Sequence, residues 1–341
     1  MSKGRILVTG GTGYIGSHTV VELQNAGFEV IIIDNLSNSS REVVISIKEI
    51  TGILPVFFEF DLCDERLTRE FFANHKNIDA VIHFAAFKAV GESVEFPLKY
   101  YRNNIFSLVN VLEGMKSNNI KNFVFSSSCT VYGQPEVLPV TEEAKIQKAS
   151  SPYGNTKQIS EQVIIDTIQA NPLNAIALRY FNPIGAHETA LIGELPIGIP
   201  NNLIPFITQT AIGKREVLSV FGDDYDTIDG TCIRDYIHVV DLAKAHLIAV
   251  NRLVEAKNKS NFEIFNLGTG NGFTVLEVIK AFEKTTGEKL NYKIVGRRAG
   301  DVEKVWADTT FANNELGWKA ALGLDEMVFS AWKWEKALQK K

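Results

Sequence analysis

The chain has 341 residues, 45% of them apolar, which is enough for a real core and for one large or two modest domains. Its net charge of −5 argues against a nucleic-acid partner, which would call for a basic patch. Three scattered cysteines without a C-x-x-C pair, and six histidines without H-E-x-x-H spacing, argue against a disulfide scaffold and against a zinc site, so no metal is expected.

Taken in chain order, the first half alternates short β-branched runs with longer helical stretches. Strands are expected over 5–9, 29–33, 56–60, 80–84, 123–127 and 175–179, and helices over 14–25, 67–74, 97–117 and 153–170. Strands that read as continuous apolar runs fit a parallel sheet covered on both faces. The alternation predicts an α/β fold, a doubly wound Rossmann-type sheet over residues 1–182 with a return segment near 234–255. From about residue 183 the pattern changes. Residues 182–203 are rich in Gly, Pro and Asn and read as loop. The remainder mixes short strands with helices over 236–250 and 274–286, a second, smaller mixed α/β domain spanning 183–341. The longest apolar runs are strand length, well below the roughly 18 residues that span a membrane. Arg5 leads directly into Ile6-Leu7-Val8-Thr9, leaving no room for a targeting segment, so a cytoplasmic protein without a membrane partner is expected.

The stretch Gly10-Gly11-Thr12-Gly13-Tyr14-Ile15-Gly16 fits the dinucleotide fingerprint in two spacings, Gly11-x-Gly13-x-x-Gly16 and Gly10-x-x-Gly13-x-x-Gly16. Glycine suits such a loop because a side chain would block the tight turn and the approach of the pyrophosphate. A strand precedes the loop and a helix follows, its free N–H groups facing the anion. Asp34 ends the next strand eighteen residues after Gly16. A carboxylate there accepts from ribose hydroxyls and repels a 2′-phosphate, which favours NAD over NADP. Asp61 and Leu62 end the third strand, where they either hold the adenine edge or cap the strand.

Tyr153 and Lys157 are four residues apart on an expected helix and share one face. A nearby ammonium and an oxidised nicotinamide both favour the phenolate, and such a tyrosine can take a proton from a sugar hydroxyl as hydride leaves. The pair follows the expected strand 123–127, whose C-terminal edge carries Ser126-Ser127-Ser128. Ligands of open α/β sheets bind at such edges, where Ser128 would hydrogen-bond the reacting oxygen. Turn hydrogen bonds are the other reading of that serine run.

These residues, with His83-Phe84-Ala85-Ala86, Lys88-Ala89-Val90-Gly91-Glu92-Ser93, Arg179-Tyr180-Phe181-Asn182-Pro183, Gly198–Leu203, Arg234-Asp235-Tyr236-Ile237-His238 and Trp306-Ala307-Asp308, resemble the extended short-chain dehydrogenase/reductases. Over almost the whole chain they resemble the UDP-galactose 4-epimerase family in particular. The resemblance implies a reversible inversion at C4 of UDP-galactose and UDP-glucose through a 4-keto sugar. Tyr153 would take the 4-hydroxyl proton, Lys157 would tune it, and NAD would be kept as a prosthetic group. The resemblance assigns Gly10, Gly13, Tyr14, Ile15, Gly16, Asp34, Asn35, Asn38, Asp61, Leu62, Phe84, Ala85, Lys88, Asn103, Tyr153, Lys157 and Phe181 to the cofactor. To the UDP-sugar it assigns Lys88, Ser128, Tyr153, Asn182, Asn202, Ser219, Val220, Phe221, Arg234, Arg298, Asp301 and Val305. Planar arginines suit a diphosphate because they donate in pairs and stay charged. It further implies a homodimer joined through the helices over 97–117 and 153–170. A core role is the plain alternative for Phe84 and Phe181, and a surface ion pair for Arg234. One position departs from the family pattern: several bacterial members carry a tyrosine where this chain has Val305, and a small residue there leaves room for 2-acetamido sugars. A dehydratase of sugar nucleotides would carry an Asp-Glu pair after Ser128, where this chain has Cys129-Thr130.

Overall fold

The computed structural model describes residues 2–298 and 302–340. The β-branched runs of the first half become strands and the stretches between them helices. In order these are β1 (Arg5–Thr9), α1 (Tyr14–Asn25), β2 (Glu29–Asp34), α2 (Glu42–Thr51), β3 (Val56–Glu59), α3 (Glu65–Asn74), β4 (Ala80–His83), α4 (Val90–Glu95), α5 (Pro97–Ser117), β5 (Asn122–Ser126), α6 (Pro152–Ala170) and β6 (Asn174–Tyr180). The second half adds β7 (Asn182–Ile184), α7 (Leu203–Ala211), β8 (Leu218–Phe221), β9 (Ile233–His238), α8 (Val239–Val254), β10 (Phe262–Leu267), β11 (Gly272–Thr274), α9 (Val275–Thr286), β12 (Tyr292–Val295), β13 (Lys304–Val305) and α10 (Leu324–Leu338).

Seven parallel strands form one sheet in the order β10-β6-β5-β4-β1-β2-β3. The period-two side-chain alternation divides its apolar residues between two cores. Ile6, Val8, Ile32, Ile82, Val124 and Ile176 face α1 and α8. Leu7, Ile31, Ile33, Val81, Phe123 and Phe125 face α3, α5 and α6. A third core joins β8 and β9 to α7, α9 and α10. There β9 lies between antiparallel β11 and parallel β13, with β7 also paired to it.

Two differences from the sequence reading have clear causes. Residues 236–238 finish β9 rather than opening a helix, and His238 caps α8 by accepting from Val240 N at 3.1 Å. The sheet also draws its seventh strand, β10, from beyond the expected return segment. Glu263 and Asn266 interrupt the apolar run there, and Glu263 is tolerated because Arg252 holds both its carboxylate oxygens at 2.6 and 2.8 Å.

Four buried imidazoles make the fold acid-sensitive. Burial lowers His18 and His83 to about 3 and His238 and His246 to about 4, from an ordinary value of 6.5. The unfolded rings take up protons below pH 6.5 while the folded ones stay neutral. Stability is therefore complete above that pH and falls on acidification from about 6.5 towards 4. At pH 5 each ring costs about 2 kcal/mol. The thermal midpoint is expected to drop steeply between pH 7 and 5, and a flat profile would contradict this account.

Candidate active site

The C-terminal ends of the parallel strands face a cleft of about 860 Å³, closed on its far side by the second domain. The glycine loop lies at its floor. Gly10 adopts φ +70, and a Cβ on it would sit 2.8 Å from Ala85 N. A Cβ on Gly16 would sit 2.2 Å from the Gly10 carbonyl oxygen. Gly10, Gly13 and Gly16 line the cleft, whereas a Cβ on Gly11 would sit 2.8 Å from the Ile32 side chain in the core. The structure therefore selects the Gly10-x-x-Gly13-x-x-Gly16 spacing. No side chain caps α1 and no acidic residue occupies its first turn, so its N–H groups are available to an anion. Asp34 closes β2 beside this loop, accepting from Thr12 N at 3.2 Å and Leu36 N at 2.9 Å. Tyr14, Ile15, Asn35 and Asn38 line the same end. Asp61 and Leu62 line it as well, and Asp61 also caps its own turn through Cys63 N at 2.8 Å. A glycine floor, an uncapped helix start and a carboxylate at the second strand end fit an NAD pyrophosphate and ribose.

Helix α6 carries the chemistry. Ser151 caps it by accepting from Gly154 N at 3.1 Å, and Pro152 opens its first turn. This start places Tyr153 and Lys157, 7% and 4% exposed, one turn apart against the end of β5. Lys157 Nζ donates to the Ser126 carbonyl at 2.6 Å and lies 5.9 Å from the centre of the Tyr153 ring. Burial lowers the Lys157 ammonium to about 8, with Glu161 acting against the fall. Burial raises the Tyr153 hydroxyl well above its ordinary value, while its hydrogen bond with Ser128 works the other way. Left to the protein alone the phenol stays protonated. A further positive charge in the cleft, such as an oxidised nicotinamide, is what would turn it into a base.

Phe84, Ala85, Lys88 and Asn103 also line the cleft, with Phe84 packed on His246 at 4.7 Å. Phe181 does not. Its side chain is buried with Val131, Tyr132, Val140 and Val305, the plain core role. On the opposite wall stand Asn182, Asn202, Arg234, Arg298 and Val305. Val305 on β13 pairs in register with Arg234 on β9, which sets them side by side. Ser219, Val220 and Phe221 lie outside the cleft wall: Val220 points into the third core, and Phe221 lies 5.4 Å beneath the Arg298 guanidinium. Asp301 lies outside the described residues.

Two features of the cleft were missed in the sequence. Residues 191–202 form a strap along its mouth. On that strap Glu194 Oε1 accepts from Lys88 Nζ at 3.0 Å and from Asn202 Nδ2 at 2.6 Å, linking the two walls. Glycine and proline content marked the segment as loop without showing where it lies. The thiol-bearing Cys129 also lines the cleft. Among the described residues no cluster of His, Cys, Asp and Glu could hold a metal ion, and no helix is long and apolar enough to cross a membrane.

A family model described as GDP-mannose 4,6 dehydratase matches residues 7–330. UDP-glucose 4-epimerase from Haemophilus influenzae is 52% identical over 332 residues, 97% of each chain. The chain belongs to the UDP-glucose 4-epimerase family. Two solved structures of UDP-glucose 4-epimerases extend the match to three dimensions. The protein from Bifidobacterium longum, in complex with NAD+ and UDP, is 48% identical with a TM-score of 0.93 over 98% of both chains. The protein from Stenotrophomonas maltophila, with NAD and a formylated UDP-arabinopyranose, is 47% identical with a TM-score of 0.95 over 99% of both. The epimerase family thus shares the whole two-part architecture with this chain, the seven-stranded sheet and the smaller domain that faces it.

Proposed function

We propose that the chain is an NAD-dependent epimerase that interconverts UDP-galactose and UDP-glucose at C4. The observation that carries this is one cleft holding a nucleotide cradle, a buried Tyr153–Lys157 dyad and two arginines on the opposite wall. Bound on the glycine floor, NAD supplies a reversible hydride acceptor. Tyr153 accepts the proton of the sugar 4-hydroxyl and later gives it back. Ser128, beside that phenol, orients the same oxygen. Lys157 holds a positive charge behind the ring. Arg234 and Arg298 grip the diphosphate, with Asn182 and Asn202 donating amide hydrogens, and Asp301 is assigned to the uridine ribose. Of the 219–221 segment, Phe221 is read as the uracil-end contact on the ground of its stacking beneath Arg298, outside the cleft wall itself. The strap lies along the mouth, where it would hold the 4-keto sugar while it turns its other face.

Incubation with UDP-galactose, followed by separation of the nucleotide sugars, tests this reading. UDP-glucose should appear without stoichiometric consumption of NAD. NADH accumulating in step with substrate would identify a dehydrogenase instead. The name of the matching family model raises dehydration as a second reading. Cys129 and Thr130 stand where a dehydratase needs its acid pair, so elimination of the 6-hydroxyl has no proton donor.

Val305 sets the size of the sugar pocket in this reading. Its small side chain leaves space for a 2-acetamido group, so UDP-N-acetylglucosamine is expected to be turned over, and Val305→Tyr to abolish that activity while sparing UDP-galactose. Turnover of the acetamido sugar below about a thousandth of the UDP-galactose rate, a difference near 4 kcal/mol, would remove this reading. The protein is further read as cytoplasmic and as a homodimer joined through α5 and α6. The outer side of α5 exposes Leu98 at 81% and Phe106 at 54%, apolar surface that a second copy would cover. Light scattering at a monomer mass would count against that arrangement.

A further inference from the structure

Arg179 and Glu161 take no part in the chemistry above, yet their side chains are only 3% and 5% exposed. Glu161 follows Lys157 by four residues on α6, so Tyr153, Lys157 and Glu161 form a row along one helix face. The row meets the end of β5 residue by residue. Ser128 stands beside Tyr153 and favours ionisation of its phenol. The Ser126 carbonyl accepts from Lys157 Nζ at 2.6 Å, and Ser127 Oγ donates to Glu161 Oε1 at 2.5 Å. From β6, Arg179 takes both carboxylate oxygens, with Nε to Oε1 at 3.0 Å and a terminal nitrogen to Oε2 at 2.6 Å. Its guanidinium lies 4.8 Å over the Tyr132 ring, and Tyr132 in turn donates to Asn266 Oδ1 at 2.7 Å.

An ion pair this deep is a poor source of stability. Desolvation offsets most of the attraction, and apolar residues of equal volume serve as well or better. Its place one turn beyond the dyad points to another role. The Lys157 ammonium is buried against the Phe125 ring of β5, 4.8 Å away. Its titratable neighbours are Tyr153 on its own helix, His83 on β4, which burial keeps neutral, and the Glu161 carboxylate. Arg179, on β6, faces it only across Glu161.

We infer that Glu161, clamped by Arg179, is a positioning residue for the catalytic lysine: it fixes the strand end that receives Lys157 and supplies the counter-charge for its ammonium. This rests on the role given to Lys157 in the proposed function. Glu161 works against the fall to about 8 that burial imposes on Lys157. Above that range the ammonium is lost and Tyr153 loses its support, so removing the counter-charge moves the high-pH limb of kcat/KM to lower pH.

Two variants test this, Glu161→Gln, which keeps the shape and removes the charge, and Glu161→Leu/Arg179→Met, which removes the pair at both ends. The second covers the case in which a lone buried Arg179 unfolds the first. The high-pH limb is expected to move down by about one pH unit, a tenfold loss of kcat/KM on the alkaline side. KM for UDP-galactose on the plateau and the amount of NAD retained should stay close to those of the parent. A folded, NAD-loaded variant whose limb superimposes on the parent's overturns the inference. Failure of both variants to fold also overturns it, by assigning the pair to stability alone. Lys157→Met, assayed alongside, separates the two levels: parental turnover in that variant would bring down the role of Lys157 itself rather than the role of Glu161.

Discussion

Replacing Tyr153 by Phe is expected to cut kcat by about a thousandfold, within the 10²–10⁴ range for losing a positioned acid–base group. The substitution removes one hydroxyl from a residue that is 7% exposed and leaves its ring, so packing of α6 against β5 is kept. The neighbouring Ser128 hydroxyl keeps its own partner, accepting from Thr130 N at 3.3 Å. UDP binding, measured by calorimetry, should therefore stay near the parent value, because Arg234 and Arg298 line the opposite wall. Undiminished turnover would show that another group moves the proton. A loss of UDP affinity equal to the loss of rate would show that the ring, and not the hydroxyl, is what matters.

Gly16→Ala is expected to yield protein that purifies without NAD and has no activity. Its Cβ would lie 2.2 Å from the Gly10 carbonyl oxygen and 2.9 Å from Gly11 Cα, backbone atoms that no rotamer can move aside. Relief requires the loop to shift away from α1, which spoils the floor on which a pyrophosphate would sit. The thermal midpoint should fall as well, since the displaced loop carries Thr12, whose hydroxyl bonds Ser39 Oγ at 2.7 Å. Gly11→Ala is the informative comparison. Its Cβ would meet the buried Ile32 side chain in the core and not the cleft floor, so that variant should lose stability while keeping some NAD. The ultraviolet spectrum of denatured, deproteinised samples reads the nucleotide content directly. Full NAD occupancy in Gly16→Ala would remove the glycine floor from the account.

How far the fold was legible in the sequence depends on which force shaped each part. The six strands expected in the first half all lie in the seven-stranded sheet; five are buried on both faces and so read as apolar runs, while β3, at the edge, is only partly covered. Strand β10 escaped because Glu263 is satisfied by Arg252, a partner from α8 that only the folded chain brings near. The dyad was legible because four residues along a helix is a local relation. Glu161 obeys the same local rule, but its meaning depends on Arg179, a contact made across the sheet. The 191–202 strap shows the opposite limit: its composition marks a loop, and nothing local says that Glu194 joins Lys88 to Asn202. The resemblance assigns Val220 and Phe181 to the ligands, and in the fold both side chains are buried.

The late arrival of α8 and β10 has a consequence for how the protein is made. The chain leaves the seven-stranded sheet after β6, builds β7, α7, β8 and β9, and only then returns to cover α1 with α8 and to add β10 at the edge. A nascent chain released as far as residue 182 would carry the complete glycine floor, yet one face of its sheet would lack Leu242, Ala245, Ala249 and Leu253. The nucleotide half therefore cannot mature on the ribosome ahead of its partner, and a gene cut between the two halves would yield a fragment prone to aggregate. The two halves are interwoven by descent of the chain, and they are completed together.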